Sequence, residues 1–442
     1  MRPSTRQQPD YATCAAKMVL AAIEQGAFVE FWFGEGPSRF GIRDLLALHK
    51  QSHLNQSELD GGPVGLAFEL LARLMKDHPN EALPACGGIH LYGKRGVDPR
   101  LLLAGTLSIA VDLAARAGED IEVSLNDVDI LTLPLSRIEI KFPHAGHLVI
   151  RSINGELEIT SSFGLLRIVR TLDGSVTYFG ELEKLSFYKM IEVQNIKISQ
   201  NWPTLLSVRT GMSQHPRIIS RALNNEELLS INRAVKLISM AAPDLSTEIR
   251  GADLILVPLE GGPGRRESLS LSDMPGCIYT TLPDPFDLAD LICHEYLHLR
   301  LFLLEEILPL IQGADLNLPS PWRSELRPAR NVLHGVLVFS RIASAFDKVF
   351  FLFEPSDRGK QRRLIWRTCI EAAGRALLAS CQLGISAFGL TLLEQSLKHN
   401  TECLETLREQ APQLALAIQN SVAQHLEAAG RPDAQEPWYL AI

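Results

Sequence analysis

The sequence predicts an α+β protein. A helical N-terminal part covers residues 1–118, a central antiparallel β-sheet covers 119–200, and a mostly helical half over 201–442 carries an H-E-x-x-H helix. Three observations predict it. Apolar residues recur at helical spacing up to about residue 118, at every second position from there to about 200, and at helical spacing again from about 224. Turn dipeptides punctuate the middle stretch, and a strongly capped helix begins after Asp284.

In the first part, Leu66, Leu70, Leu71 and Leu74, and then Leu101, Leu102, Leu107, Ile109 and Leu113, fall on helical faces. The period then becomes two. Ile121, Val123 and Leu125, then Ile138, Ile140 and Phe142, then Leu148 and Ile150 alternate with polar residues, while Asn154-Gly155 and Asp173-Gly174 supply the positive φ of tight hairpins. A helix is expected over 224–240, strands at Leu254–Leu259 and Cys277–Leu282, and a glycine-rich turn at Gly261, Gly262 and Gly264 between them. Asp284 is placed as an N-cap, with Pro285 at the first helical position and Asp287 in the first turn; the helix should run to about 308, before Pro309. Pro319, Pro321 and Pro328 read as breakers, followed by helices over 330–352, 358–382 and 385–430.

With 442 residues, 46% hydrophobic and 21% charged, the chain can bury a large core in more than one sub-structure. Its 43 Lys+Arg against 51 Asp+Glu give a net charge of -8, and no stripe of cations tracks a phosphate backbone, which argues against a nucleic-acid partner. Met1–Asp10 has no apolar core, and Lys17, Glu24 and Glu30 interrupt the apolar stretch after it; neither a signal peptide nor a membrane span is expected, and the protein is expected to be cytoplasmic. The seven cysteines include no C-x-x-C pair and read as reduced thiols, with Cys293 in the core.

The stretch with chemistry in it is His294-Glu295-Tyr296-Leu297-His298. Histidines four apart lie one above the other on a helix, so both imidazoles can reach one metal, and the intervening Glu can touch a metal-bound water. The same side of the helix should carry Asp287, Asp290 and Glu305, against a packed side of Leu288, Leu291, Ile292, Leu299 and Leu303. The usual protease patterns lack a third ligand. Positions 301 and 304, where a metzincin needs glycine and histidine, are Leu301 and Leu304, and the acids Glu305, Glu306, Asp315 and Glu325 form no thermolysin-like pattern. The best third ligand is His334, beside Gly335, which would let two helices approach closely. Ahead of it, Arg323, Arg327 and Arg330 with Trp322 make a candidate carboxylate-binding rim. His144 and His147, three apart on a strand, read as structural.

The run from Met274-Pro275-Gly276 through Asp287-Leu288-Ala289, the H-E-x-x-H, Ser320-Pro321-Trp322-Arg323, Arg327-Pro328 and Leu333-His334-Gly335 resembles the HExxH-motif peptide-modification family of ribosomally made peptide natural products, over about residues 250–345. The resemblance implies an iron(II)- and 2-oxoglutarate-dependent hydroxylase of a side-chain carbon, the β-carbon, of a precursor peptide. It implies His294, His298 and His334 as iron ligands, with Glu325 or Glu305 as substitutes for the third. Arg327, helped by Arg323 or Arg330, would then bind the distal carboxylate of 2-oxoglutarate, and Glu295 would orient a ligand or water. Two other readings stand beside it. One is a zinc metallopeptidase with Glu295 as general base, and the other a peptide-binding protein with a structural metal. The sheet region serves as scaffold or adds the peptide as an extra strand.

Overall fold

A computed structural model describes residues 99–133, 136, 138–170, 176–180, 186–189, 191–199, 223–251, 254–261, 266–270, 277–307, 309–312, 316–353, 357–380 and 384–431, and upstream of them Leu66, Leu70, Arg73 and Leu74. The protein is α+β, as expected. The helical reading of residues 10–98 lies outside the described residues except at those four, which are helical. By backbone contacts the chain forms two units. One takes in the described residues up to Ala234 and Glu248–Glu295, the other Val235–Thr247 and the chain from Tyr296 onward.

In the first of these, helix α1 (Pro99–Ala117) packs on a six-stranded antiparallel sheet. Its strands are β1 (Ile121–Leu133), β2 (Ile138–Ile153), β3 (Glu156–Ser161), β4 (Gly164–Arg170) and β5 (Val176–Gly180) in that spatial order, with β6 (Ser186–Lys189) on β2. The period-two residues line one core: Val123, Leu125, Ile138, Ile140, Phe142, Leu148 and Ile150 meet Val111 of α1. Each such buried aliphatic contributes about 1.5–3 kcal/mol of transfer free energy. Asn154 (φ 51°) and Gly155 (φ 81°) both lie in the left-handed region, so β2 and β3 join through the mirror-image turn that suits strand twist. The Asp173-Gly174 turn lies outside the described residues; β4 and β5, on either side of it, pair antiparallel. His144 and His147 are both exposed on this sheet; His147 meets Asn126 at 2.8 Å and the His144 ring packs on Phe163.

The antiparallel region ends sooner than expected. β7 (Ile191–Val193) and β8 (Ile196–Ile198) leave that sheet for a second one of five strands, ordered β10-β11-β9-β8-β7. Here β9 (Ile255–Pro258) runs parallel to both β8 and β11 (Cys277–Thr280), and β10 (Ser268–Leu269) lies antiparallel on the edge. Parallel strands must be buried on both faces, and the four residues of β9 and the four of β11 all are. Helices α2 (Asn225–Ala241) and α3 (Pro243–Gly251) sit between β8 and β9 in the chain. At the start of α2, Asn224 and Glu227 exchange backbone-to-side-chain hydrogen bonds as a capping box.

The motif helix, α4, spans Pro285–Ile307. Downstream the sequence reading needs two corrections. The stretch with Pro319, Pro321 and Pro328 is a hairpin of β12 (Asn317–Ser320) and β13 (Arg323–Pro328), because these prolines sit at strand positions and in the turn rather than in a central ladder. Helices α5 (Ala329–Phe353) and α6 (Asp357–Ala379) come next, as expected. The single helix over 385–430 is instead two, α7 (Ala387–Gln410) and α8 (Pro412–Ala428), since Pro412 has no N–H to continue α7 and begins the next helix. His425 of α8 reaches back to the carbonyls of Ser320 and Arg323. Among the described residues Cys277, Cys293 and Cys369 are buried and in no disulfide, and no helix is long and apolar enough to cross a membrane.

Candidate metal centre

Helix α4 starts where the sequence places it. The Asp284 carboxylate accepts hydrogen bonds from the backbone N–H groups of Phe286 and Asp287, at 3.0 and 3.3 Å. Among the described side chains of residues 287–305, all are buried but His294, His298, Phe302 and Glu305. At about 100° per residue these four fall within an arc of about 80°. The helix is therefore clothed by core on every other side and presents one narrow stripe made of two imidazoles, a phenyl ring and a carboxylate.

Along its N-terminal half, α4 is tied to the segment that holds β10. Alternate residues of that segment reach the helix, as the two-residue period of an extended chain requires. Arg266 pairs with Asp287 at 3.5 Å and Asp290 at 2.8 Å; Ser268 and Ser270 each donate a hydroxyl hydrogen bond of 2.6 Å, one to each carboxylate oxygen of Glu295. Asp287 and Asp290, expected beside the metal face, are buried against Arg266 instead. Glu295 is only 4% exposed, and both its oxygens are engaged. Cys293 is fully buried, as its core reading requires.

Farther along, α4 meets α5. The His298 and His334 rings lie 5.8 Å apart between centroids, and Phe302 is 6.0 Å from the first and 5.5 Å from the second. His334, 3% exposed, places Nε2 within 2.9 Å of Glu305 Oε2. Arg330, one turn before His334 on α5, donates from Nε to that same oxygen at 2.7 Å, and its guanidinium sits 5.8 Å from the centre of the Phe302 ring. Burial alone would raise the Glu305 carboxyl, but its contacts with His334 and Arg330 outweigh that and hold it below its usual range.

The remaining residues of the sequence reading have other surroundings. Trp322 is buried, its indole stacked on Phe339 at 4.9 Å and pressed against Gly335, where an added Cβ would come within 2.6 Å of the ring. The close approach that Gly335 permits is thus to an indole on the hairpin, and Trp322 is a packing residue. On β13, Arg323, Glu325 and Arg327 share one face; Arg327 lies 3.3 Å from Glu325 and stays partly exposed, and Arg323 is exposed. Of the three arginines Arg330 is committed to Glu305. Sequence reasoning missed Arg266, Ser268 and Ser270 altogether, because an arginine and two serines in a glycine-rich connection carry no spacing signal.

As donors, His294, His298 and His334 suit a first-row divalent cation. Among the described residues no three His, Cys, Asp or Glu side chains converge as a group that could hold one, so the fit rests on the chemistry of this donor set alone. No protein-family model matches the chain, and no curated protein sequence matches it either.

Proposed function

We propose that the protein is an iron(II)- and 2-oxoglutarate-dependent hydroxylase that acts in the cytoplasm on a side-chain carbon, the β-carbon, of a ribosomally made precursor peptide. The observation that favours this over a zinc metallopeptidase is the state of Glu295. A peptidase of this motif needs that carboxylate as the base on a metal-bound water, and here the carboxylate is 4% exposed and each of its oxygens accepts from a serine hydroxyl of one strand segment. Glu295 then positions the β10 segment and leaves acid–base work aside, as an oxygenase allows.

The overall change is balanced by the cosubstrates: 2-oxoglutarate, O₂ and a C–H bond become succinate, CO₂ and a C–OH bond. His294, His298 and His334 would hold the iron, which when bound supplies the one-electron chemistry with O₂ that no side chain can provide. Arg327, the partly exposed guanidinium of β13, binds the distal carboxylate of 2-oxoglutarate through its planar fork. The buried flanks of α4 exclude water from all but the His294–Glu305 stripe, and Phe302 lines that stripe with an apolar ring suited to a peptide side chain. Anaerobic addition of iron(II) and then 2-oxoglutarate to the purified protein should give a weak visible charge-transfer band, lost in His294→Ala and in Arg327→Ala. Absence of the band in the unaltered protein, together with tightly retained zinc, would overturn the hydroxylase and direct the search to peptide cleavage.

A further inference from the structure

We infer that Glu305, held by Arg330, is the positioning residue that sets the ring of His334 for metal binding. This rests on the metal centre proposed above and adds to it the group that orients its third ligand. The first argument is distance along the helix. Glu305 comes seven residues after His298 and eleven after His294, which on a straight helix is about 10.5 and 16.5 Å of axial rise. A glutamate side chain spans about a third of the longer distance, so Glu305 shares the face of the motif histidines without being able to share one cation with both.

The second argument is what Glu305 does touch. Its Oε2 stands 2.9 Å from Nε2 of His334 and accepts from Arg330 Nε at 2.7 Å. Arg330 and His334 are four apart on α5, so one face of that helix delivers both groups to a single oxygen. The carboxylate side chain is 8% exposed, and water competes little for it. A carboxylate this close to Nε2 favours the tautomer with its proton on that nitrogen and leaves the Nδ1 lone pair as the one available to a cation. Arg330 holds the Glu305 carboxylate in place, and Phe302 packs beside both imidazoles. Arg330 thereby leaves the carboxylate-binding rim and joins the metal centre at one remove.

The test is titration of the metal-free protein with Co(II), whose visible bands report affinity and coordination together, in the unaltered protein and in Glu305→Gln, Glu305→Asp, Arg330→Met and His334→Ala. Glu305→Gln should weaken Co(II) binding by about 10- to 100-fold and shift the bands, the range typical of lost orienting partners. Glu305→Asp should recover part of the affinity, and Arg330→Met should fall between. A purely structural role would lower thermal stability while leaving the bands of the folded fraction in place, and that result would overturn the inference, as would Glu305→Gln binding Co(II) as tightly as the unaltered protein. The metal centre itself fails separately: His334→Ala matching the unaltered protein, or no binding by the unaltered protein, removes the proposed ligand and the inference with it.

Discussion

Replacing Gly335 by alanine pits two known effects against each other at the root of the proposed site. Alanine in a helix interior is favoured over glycine by about 1 kcal/mol. Against this, the new Cβ would lie 2.6, 2.9 and 3.3 Å from Cζ3, Cε3 and Cη2 of Trp322. Carbon atoms prefer about 3.5–4.0 Å, so the indole must retreat by roughly 1 Å. It has little room to do so: Trp322 is 8% exposed and its far face stacks on Phe339, which in turn packs on Trp366 at 6.3 Å. Overpacking a rigid ring costs about 1–3 kcal/mol, and this overlap belongs to the upper half of that range. The net expectation is a loss of about 1–2 kcal/mol, measured as a lower urea midpoint at unchanged slope. Trp322→Leu should relieve the overlap, so the double variant should be more stable than the sum of the single changes by at least about 1 kcal/mol, well beyond the usual additivity error of about 0.5. Gly335→Ala as stable as the unaltered protein, or a coupling within that error, would refute the packing argument and the reading of Trp322 with it.

The same geometry carries further expectations. Ser268→Ala with Ser270→Ala strips two hydroxyl donors from a carboxylate that is 4% exposed, and should cost about 1–3 kcal/mol in a thermal melt; Glu295→Gln, which can still bond both serines, should cost less, and the opposite order would refute the clamp. Asp347 holds Arg363 at 2.7 Å and the 1%-exposed Arg367 at 2.5 Å, so Asp347→Asn leaves two enclosed cations short of their anion and should lose about 2–3 kcal/mol by urea unfolding. Tyr279 is fully buried, and burial, with Cys277 adding a smaller push, raises its phenol well above the usual value. Its contribution is complete below the unfolded-state pKa of about 10 and fades as pH rises beyond it, so stability should fall through that alkaline window and fall less in Tyr279→Phe. Equal slopes for the two proteins would show that another group sets the alkaline limit.

Much of this fold was legible because local chemistry decided it. Asp284-Pro285 announces a helix start whatever surrounds it, and Asn154-Gly155 announces a hairpin. Pro412 was equally legible in principle, yet the apolar period on both sides of it hides the break. The β12–β13 hairpin escaped because Pro319, Pro321 and Pro328 look like obstacles to any regular structure until strand edges are known. Departure of β7 and β8 to a parallel neighbour more than fifty residues away has no local signature at all. At the site, His294 and His298 are evident from a spacing of four. Glu305 was visible as a member of their face, but its role depends on Arg330 and His334 arriving from another helix, and nothing in a one-dimensional pattern couples them. The arginine-rich segment shows the converse: three cations close in sequence have three different environments, because strand alternation and a helix start send them apart.

The narrow stripe on α4 bears on how the protein is loaded. Small zinc-dependent modules cannot fold until their ion arrives, since the ion replaces the core they lack. Here the described residues of α4 between Asp287 and Leu304 are already mostly enclosed, so their amides should exchange with deuterium only in the rarest, most global openings, with or without an ion present. On the metal centre proposed above, the metal-free protein would then be folded in its own right, ions would exchange within the lifetime of a single folded molecule, and the occupant would be set by supply and not by which ion was at hand during folding.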